Sequence, residues 1–449
     1  MSPRWILGLW PADGLRADDA WIILAASLCA VACAVTGVYL VLRRLSMLGD
    51  AISHAILPGL AGAFLLSGSR STAAMLLGAG AVGVLTALLS SGVRKLARVQ
   101  EDAALGVVFT ALFALGVILI SWVARDIDLD PGCVLYGLLE FTPFDTVSFA
   151  GLHAPRAVVT LAVAVLVVSA LTALFFKELR IVAFDPVLAA SMGIPAAAIH
   201  LGMLSLTAGV TVVAFEAVGS ILVVTMLIAP AATAHLLTDR LHRMYPIAAG
   251  LGVSAAVLGY LAALRLNTSV AGMISVVAGA QFALAAVLAP RHGVLSRAAR
   301  NTALSLRITR EDILGLLYRW HERAAVDPAA NPLRTPHVLQ ALHAPPLARL
   351  AIASLRRRRL IDQGPQGQLR LTDQGLDSAR LIVRSHRLWE LYLARHLGLP
   401  HDHLHAPSHR AEHFISPALA DGLSRQLDAT DDPHGRPIPS AQEPPPPPR

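Results

Sequence analysis

The sequence predicts an all-α polytopic membrane bundle of eight or nine transmembrane helices, followed by a smaller winged-helix and helical domain. Three observations predict it. The chain is 55% hydrophobic and only 15% charged over 449 residues, against about a quarter charged in soluble domains. Apolar runs follow one another with short polar breaks from Trp21 to Pro290. Beyond Arg291 the composition turns polar and rich in Arg and His, which marks the one clear domain boundary. The expected divisions are an N-terminal segment (1–20), a membrane domain (21–293), a linker (294–307), a winged-helix-like region (308–375), further helices (376–430) and a Pro-rich tail (431–449).

A spanning helix needs roughly 20 apolar residues. The candidate runs are Trp21–Leu42, Thr72–Ser90, Ala103–Val123, Ala157–Phe176, Ile199–Ala214, Ala217–Leu237, Pro246–Leu264 and Val270–Ala289, with a shorter run over Ala51–Leu66. Arg43/Arg44, Arg94/Lys95/Arg98, Lys177/Arg180, Arg240/Arg243 and Arg291 fall at every other boundary, and the acidic Asp126–Asp130 falls on the opposite side. Basic loops remain inside, so these loops and the whole C-terminal part are expected in the cytoplasm. Nine spans would leave the N-terminus outside, eight inside. Small residues, as in GLAGAFLLSG and LLGAGAVG, suit close helix contact in lipid. No cleavable leader is expected, because WPADGLRADD precedes the first long run without a basic stretch.

The net charge of +7 comes almost wholly from arginine, since Lys95 and Lys177 are the only lysines. Neither stands in a Gly-Lys-Ser/Thr phosphate loop, so no nucleotide is expected on this chain and ATP hydrolysis, if used, must come from another polypeptide. Cys29, Cys33 and Cys133 form no CxxC pair and no disulfide framework. Cys29 and Cys33 read as small buried residues one turn apart.

Polar groups inside apolar runs carry the chemistry. Asp50 and His54 in RLSMLGDAISHAILPG lie four apart on one helical face. Ionisable groups at membrane depth face a pathway or each other, and an imidazole with a carboxylate suits Zn, Fe or Mn over Mg or Ca. The bland alternative is an Asp–His pair capping a short helix. Glu216 and His235 are expected at span boundaries, and Pro230 is expected to kink its helix.

The phrases VLRRLSMLGDAISHAILPG, EDAALGVVFTALFALGVILIS, FKELRIVAFDPVLAASMGIP and FEAVGSILVVTMLIAPAATAHLLTDRL resemble, in this order, the ABC-type manganese/zinc/iron permeases. The likeness covers Gly37 to Gly293. It implies a multi-pass subunit of the bacterial plasma (inner) membrane whose cargo is a divalent transition metal (Mn, Zn or Fe). It also implies three partners: a cytoplasmic ABC ATPase, a second permease subunit in a homo- or heterodimer, and an extracytoplasmic metal-binding protein. In that family the Asp and His of the GDAISHA phrase contribute to metal passage, which corresponds to Asp50 and His54. The segment Phe184–Pro195, with Phe184, Asp185, Pro186 and Gly193, then reads as a short helix docking on the ATPase, or else as an ordinary linker.

In the C-terminal part, ITREDILGLLYRWHERA is helical by period. Thr335–Leu350 and Ala351–Leu360 suit a helix–turn–helix, LIDQGPQGQLRLTDQG a two-stranded wing, and Leu376–Leu397 a further helix. The final EPPPPPR is expected to be disordered. His386 and Glu390 stand four apart, and His409, Glu412 and His413 stand at i, i+3 and i+4 with His405 one turn before. This spacing gathers imidazole and carboxylate groups on common faces, as a transition-metal site requires; a histidine-rich surface without metal is the alternative.

HRLWELYLARHLG, HDHLHAPSHRAEHFIS and DPHGRPIPS resemble the iron- and manganese-dependent repressors of the diphtheria-toxin-repressor type, over Ile308 to Pro439. The resemblance implies a metal-binding and dimerisation region with His386, Glu390 and His405 in one site and Asp312, His409, Glu412 and His413 in another. Two positions depart from the family: His409 stands where members carry Cys or Glu, and Gly315 where a carboxylate would serve manganese. The basic run Arg356–Arg359 can touch phosphate, but a membrane-fixed copy is badly placed for an operator, so DNA is not the expected partner. The expected function is a metal-import permease whose tail senses cytosolic metal, with a membrane-anchored metal-responsive transcription regulator as the alternative.

Overall fold

The computed structural model describes residues 16–45, 51, 55, 57–67, 72–123, 139–149, 152–327, 331–342 and 345–440. It divides into two compact units, Met1–Ser296 and Arg297–Arg449.

The first unit is built from α1 (Ala17–Leu42), α2 (Leu57–Ser67), α3 (Thr72–Ala97), α4 (Glu101–Val123), a 3-10 turn (Leu139–Phe144), β1 (Thr146–Phe149), β2 (Leu152–Pro155), α5 (Arg156–Leu174), α6 (Phe176–Phe184), α7 (Pro186–Ser191), α8 (Ala196–Val218), α9 (Ser220–Leu237), α10 (Leu241–Leu266) and α11 (Val270–Leu288). Among the described residues seven helices are long and apolar enough to cross a membrane: α1, α3, α5 and α8 to α11. The protein is therefore a multi-pass membrane protein. Against the eight or nine spans expected, α4 has a shorter apolar stretch, Ala103–Leu119. The eleven residues of α2 rise only about 16 Å, and part of the run Ala51–Leu66 lies outside the described residues. A β1–β2 hairpin and the 3-10 turn before α5 were not expected from the sequence; Thr146 pairs with Pro155 and Phe149 with Leu152.

Helix α1 is the centre of this unit, packed against α5, α8, α9 and α10. Small residues let it be so. A Cβ on Gly37 would stand 1.9 Å from the Leu227 carbonyl oxygen of α9, and one on Gly252 would meet Ala30 at 2.9 Å. Cys29 and Cys33 are fully buried in this core with their sulfurs 3.9 Å apart, as expected of small interior residues. Gly219, at φ +82°, separates α8 from α9, and Pro230 lies inside α9. Acidic groups are kept to helix ends: Asp19 accepts from the Tyr260 hydroxyl at 2.5 Å, and Glu140 accepts from the Val270 amide of α11 at 3.2 Å. Glu216 and His235 are exposed near the ends of their helices, consistent with boundary positions.

The second unit contains most of α12 (Val294–Val326), then α13 (Thr335–Ala341), α14 (Pro345–Arg357), β3 (Ile361–Gln363), β4 (Leu369–Leu371), α15 (Asp373–Leu397), α16 (His405–Ala411) and α17 (Pro417–Leu427). Residues 294–307, expected as a linker, are the first part of continuous helix α12. The expected helix–turn–helix is present with its break moved: α14 begins at Pro345 rather than Ala351, because Pro345 and Pro346 suit a helix start and end any preceding helix. β3 and β4 pair antiparallel as the wing, Ile361 opposite Leu371. Ile313, Leu317, Val338, Leu355, Ile361, Leu369 and Val383 form the winged-helix core. A second core joins Leu388 and Leu391 of α15 to Ala420, Leu423 and Leu427 of α17.

Gly37→Ala should force α1 off α9 and cost about 1–3 kcal/mol, read as a lower unfolding midpoint of the detergent-solubilised protein. Gly209→Ala, with no atom within 4 Å of the added carbon, should stay within about 0.5 kcal/mol.

Candidate metal centres

Asp50 and His54, the residues expected on the transport path, lie outside the described residues. Of the expected coupling segment, Asp185 caps α7, accepting from the Val187 and Leu188 amides at 3.1 and 2.9 Å, with Pro186 as first helical residue. Gly193 ends the turn at φ +80°. Phe184, Val187, Leu188 and Met192 are exposed here, an apolar row on a short helix pair.

The tail residues come together in two sets. Thr372 caps α15 by accepting from the Gly375 amide at 3.1 Å, and a Cβ on Gly375 would stand 1.8 Å from the Leu360 carbonyl; together these set the register of α15. One buried face then carries His386 and Glu390. His386 Nε2 lies 3.0 Å from Glu390 Oε1 and 3.1 Å from Nδ1 of His405, which is itself 3.2 Å from Glu390 Oε1. In the second set His413 Nε2 is 3.2 Å from Asp312 Oδ1 of α12. Glu412 Oε1 is 3.7 Å from His413 Nε2 and 3.8 Å from His409 Nδ1. Each set offers donor atoms that all lie within 4.8 Å of one another. All seven predicted tail ligands are thus gathered, three in one set and four in the other.

One imidazole joins the sets. His386 turns Nε2 to Glu390 and Nδ1 to Glu412 Oε2, 2.5 Å away. A third grouping was missed from the sequence: Asp432 and His434 approach Glu390, with His434 Nδ1 3.7 Å from Glu390 Oε2. Asp432 holds its own turn by accepting from the His434 and Arg436 amides, both at 2.8 Å. The signal was present in DPHG, an Asp and a His two apart in a Gly turn, but not at helical spacing.

The electrostatics follow from burying these groups. Burial works against charge on Glu390, yet hydrogen bonds from His386 and His405 hold its carboxyl down at about 2. Burial likewise opposes protonation of His413, but Asp312 and Glu311 push the imidazole up to about 9. His386 is raised by Glu390 and Glu412, again against burial. These buried atoms pair with one another as ions, His386 Nδ1 with Glu412 Oε2 and His413 Nε2 with Asp312 Oδ1, without well-aligned hydrogen bonds. Donor atoms drawn this close without aligned hydrogen bonds fit a divalent ion between them. Imidazole and carboxylate donors are the set such transition ions take.

Residues 20–289 match the model of the ABC 3 transport family. The chain belongs to this family. Residues 372–440 match the iron dependent repressor, metal binding and dimerisation domain. The manganese transport system membrane protein MntD of Bacillus subtilis is 44% identical over 286 residues, 63% of this chain and 96% of that one. The zinc transport system membrane protein TroD of Treponema pallidum is 37% identical over 285 residues, 64% and 78% respectively. Among solved structures, PsaBC from Streptococcus pneumoniae in complex with Fab superposes with a TM-score of 0.53 at 29% identity, covering 65% of this chain and 98% of that one. The chain is therefore an ABC-family permease followed by a domain resembling metal-dependent regulators.

His413 has a raised pKa, so it carries its proton below about 9 and must shed it to bind an ion. Apparent affinity of the tail for Mn²⁺ should therefore rise with pH and level off above that value, with proton release seen by calorimetry in buffers of different ionisation enthalpy. At a hundredfold excess over Kd, Mn²⁺ should add about 2.7 kcal/mol to hydrogen-exchange protection around Glu412 in the full chain. EDTA or Glu412→Gln should remove that increment.

Proposed function

We propose that this chain is the membrane-spanning permease subunit of an ATP-driven importer of divalent transition-metal ions, with a cytoplasmic tail that senses the same class of ion. The family match across the membrane unit carries the reading, and the manganese and zinc names of its relatives support the cargo class. Mn, Zn or Fe would pass Asp50 and His54, whose carboxylate and imidazole can replace part of the ion's hydration shell.

Energy comes from a separate ATPase, since neither lysine of this chain stands in a phosphate loop. The exposed apolar residues on α6 and α7 are its docking element, with Asp185 and Pro186 keeping α7 wound. A second permease subunit completes the path, and an extracytoplasmic metal-binding protein delivers the ion. His386, Glu390 and His405 hold one regulatory ion; Asp312, His409, Glu412 and His413 hold another. A bound ion supplies the positive charge that offsets the buried carboxylates; the tail's residues bind it and draw α12, α15 and α16 together around it.

The test is ATP-dependent uptake of radioactive Mn²⁺ or Zn²⁺ into proteoliposomes containing the chain, its partner and the ATPase. Asp50→Ala and His54→Ala should each lower uptake by more than tenfold while leaving the assembled complex intact. Uptake unchanged in both variants contradicts the path. Asp185→Ala removes a cap worth about 1 kcal/mol and should lower both uptake and transport-coupled ATP hydrolysis, whereas Asp185→Asn, which can still cap, should restore them.

A further inference from the structure

Helix α14 buries one face and leaves the other bare. Ala348, Ala351, Ile352 and Leu355 face the winged-helix core, while Pro346, Arg349, Leu350, Ala353, Arg356 and Arg357 are exposed. At about 100° per residue these six positions fall within one arc of the helix. Around the arc the order is Arg356, Arg349, Ala353, Pro346, Arg357 and Leu350, so Ala353 and Pro346 lie between the arginines and Leu350, 60% exposed, stands at one edge beside Arg357. Arg359 follows the helix and Arg370 stands on the wing, both exposed. Among the described residues Arg356 bonds only the Gln363 amide oxygen, at 2.6 Å, and no carboxylate pairs with Arg349, Arg356 or Arg357.

We propose that this arginine-and-leucine face of α14 docks on the anionic phospholipid surface of the membrane in which the chain sits. The proposal rests on the tail lying on the cytoplasmic side, as proposed above. Three observations favour lipid over nucleic acid. The outward face of α14 carries no amide or hydroxyl side chain, and its middle is Ala353 and Pro346, where base-edge reading calls for polar groups. Guanidinium groups beside exposed apolar residues are what an interfacial helix uses: the apolar part enters the headgroup boundary and the arginines pair with phosphate. Finally, only residues 289–293 separate α11 from α12, so the bilayer is a covalently guaranteed neighbour at high effective concentration. The cytoplasmic leaflet carries the negative charge that such a face requires.

The test uses the full chain in nanodiscs, with Ala353→Cys labelled by an environment-sensitive fluorophore in a background lacking the native cysteines. In discs of phosphatidylcholine with phosphatidylglycerol the label should brighten and shift to the blue relative to discs of phosphatidylcholine alone. The response should fade as salt is raised and drop at least about fivefold when Arg349, Arg356 and Arg357 are all changed to Gln, since each basic residue contributes separately to such binding. No difference between the two lipid compositions overturns the proposal. So does a response to added duplex DNA in neutral discs that exceeds the response to anionic lipid. Metal-dependent hydrogen-exchange protection of the tail, measured on the same discs, is independent of lipid charge. Its persistence without a lipid response refutes the docking alone, whereas its absence refutes the sensing role.

Discussion

Charge that leaves water must be met by opposite charge or by hydrogen bonds, and both units are organised around that requirement. In the membrane unit it is met by avoidance. The described carboxylates sit at helix ends, where Asp19 takes the Tyr260 hydroxyl and Glu140 the Val270 amide. The interior is left to uncharged side chains, and small ones among them let α1 approach α9 until a Cβ on Gly37 would meet a backbone carbonyl. In the tail it is met by pairing. Glu390 and Glu412 are each about as buried as any core leucine, and imidazoles surround them. The His386–Glu412 and His413–Asp312 pairs are close but lack aligned hydrogen bonds. A divalent cation in each set would offset the buried carboxylates, as the proposed sensing role requires.

His386 gives this arrangement a further property. Its two nitrogens serve different carboxylates, Glu390 in one set and Glu412 in the other. A ring turned to suit an ion in one set presents its remaining nitrogen differently to the other. Under the proposed sensing role the occupancies of the two sets would be linked, and any such linkage is reciprocal. The sets draw on α12, α15, α16 and the 3-10 turn Glu412–Phe414, the elements through which the proposed sensor would act.

Much of this was legible in the sequence, for reasons that differ between the units. The spans announced themselves because a helix in lipid must be apolar along its whole length. The tail's histidine and carboxylate clusters were legible because i, i+3 and i+4 spacing converts directly into a shared face, as with His409, Glu412 and His413. Contacts set by tertiary packing were less visible. Asp432 and His434 reach Glu390 through a turn, with no helical period to reveal them. The break before α14 was misplaced because apolar period was weighed over Pro345 and Pro346. The β1–β2 hairpin is only four residues per strand, too short for alternation to stand out beside neighbouring apolar runs.

Under the proposed function, a permease followed by a domain resembling metal-dependent regulators reads the result of its own work. The direct measurement is the initial rate of ATP-driven Mn²⁺ uptake into proteoliposomes while free metal on the tail side is clamped at increasing values. The full chain should slow as the clamped metal rises, and a chain truncated after Arg300 should keep a constant rate. Identical slowing in both would contradict the account, because the inhibition would then arise without the tail.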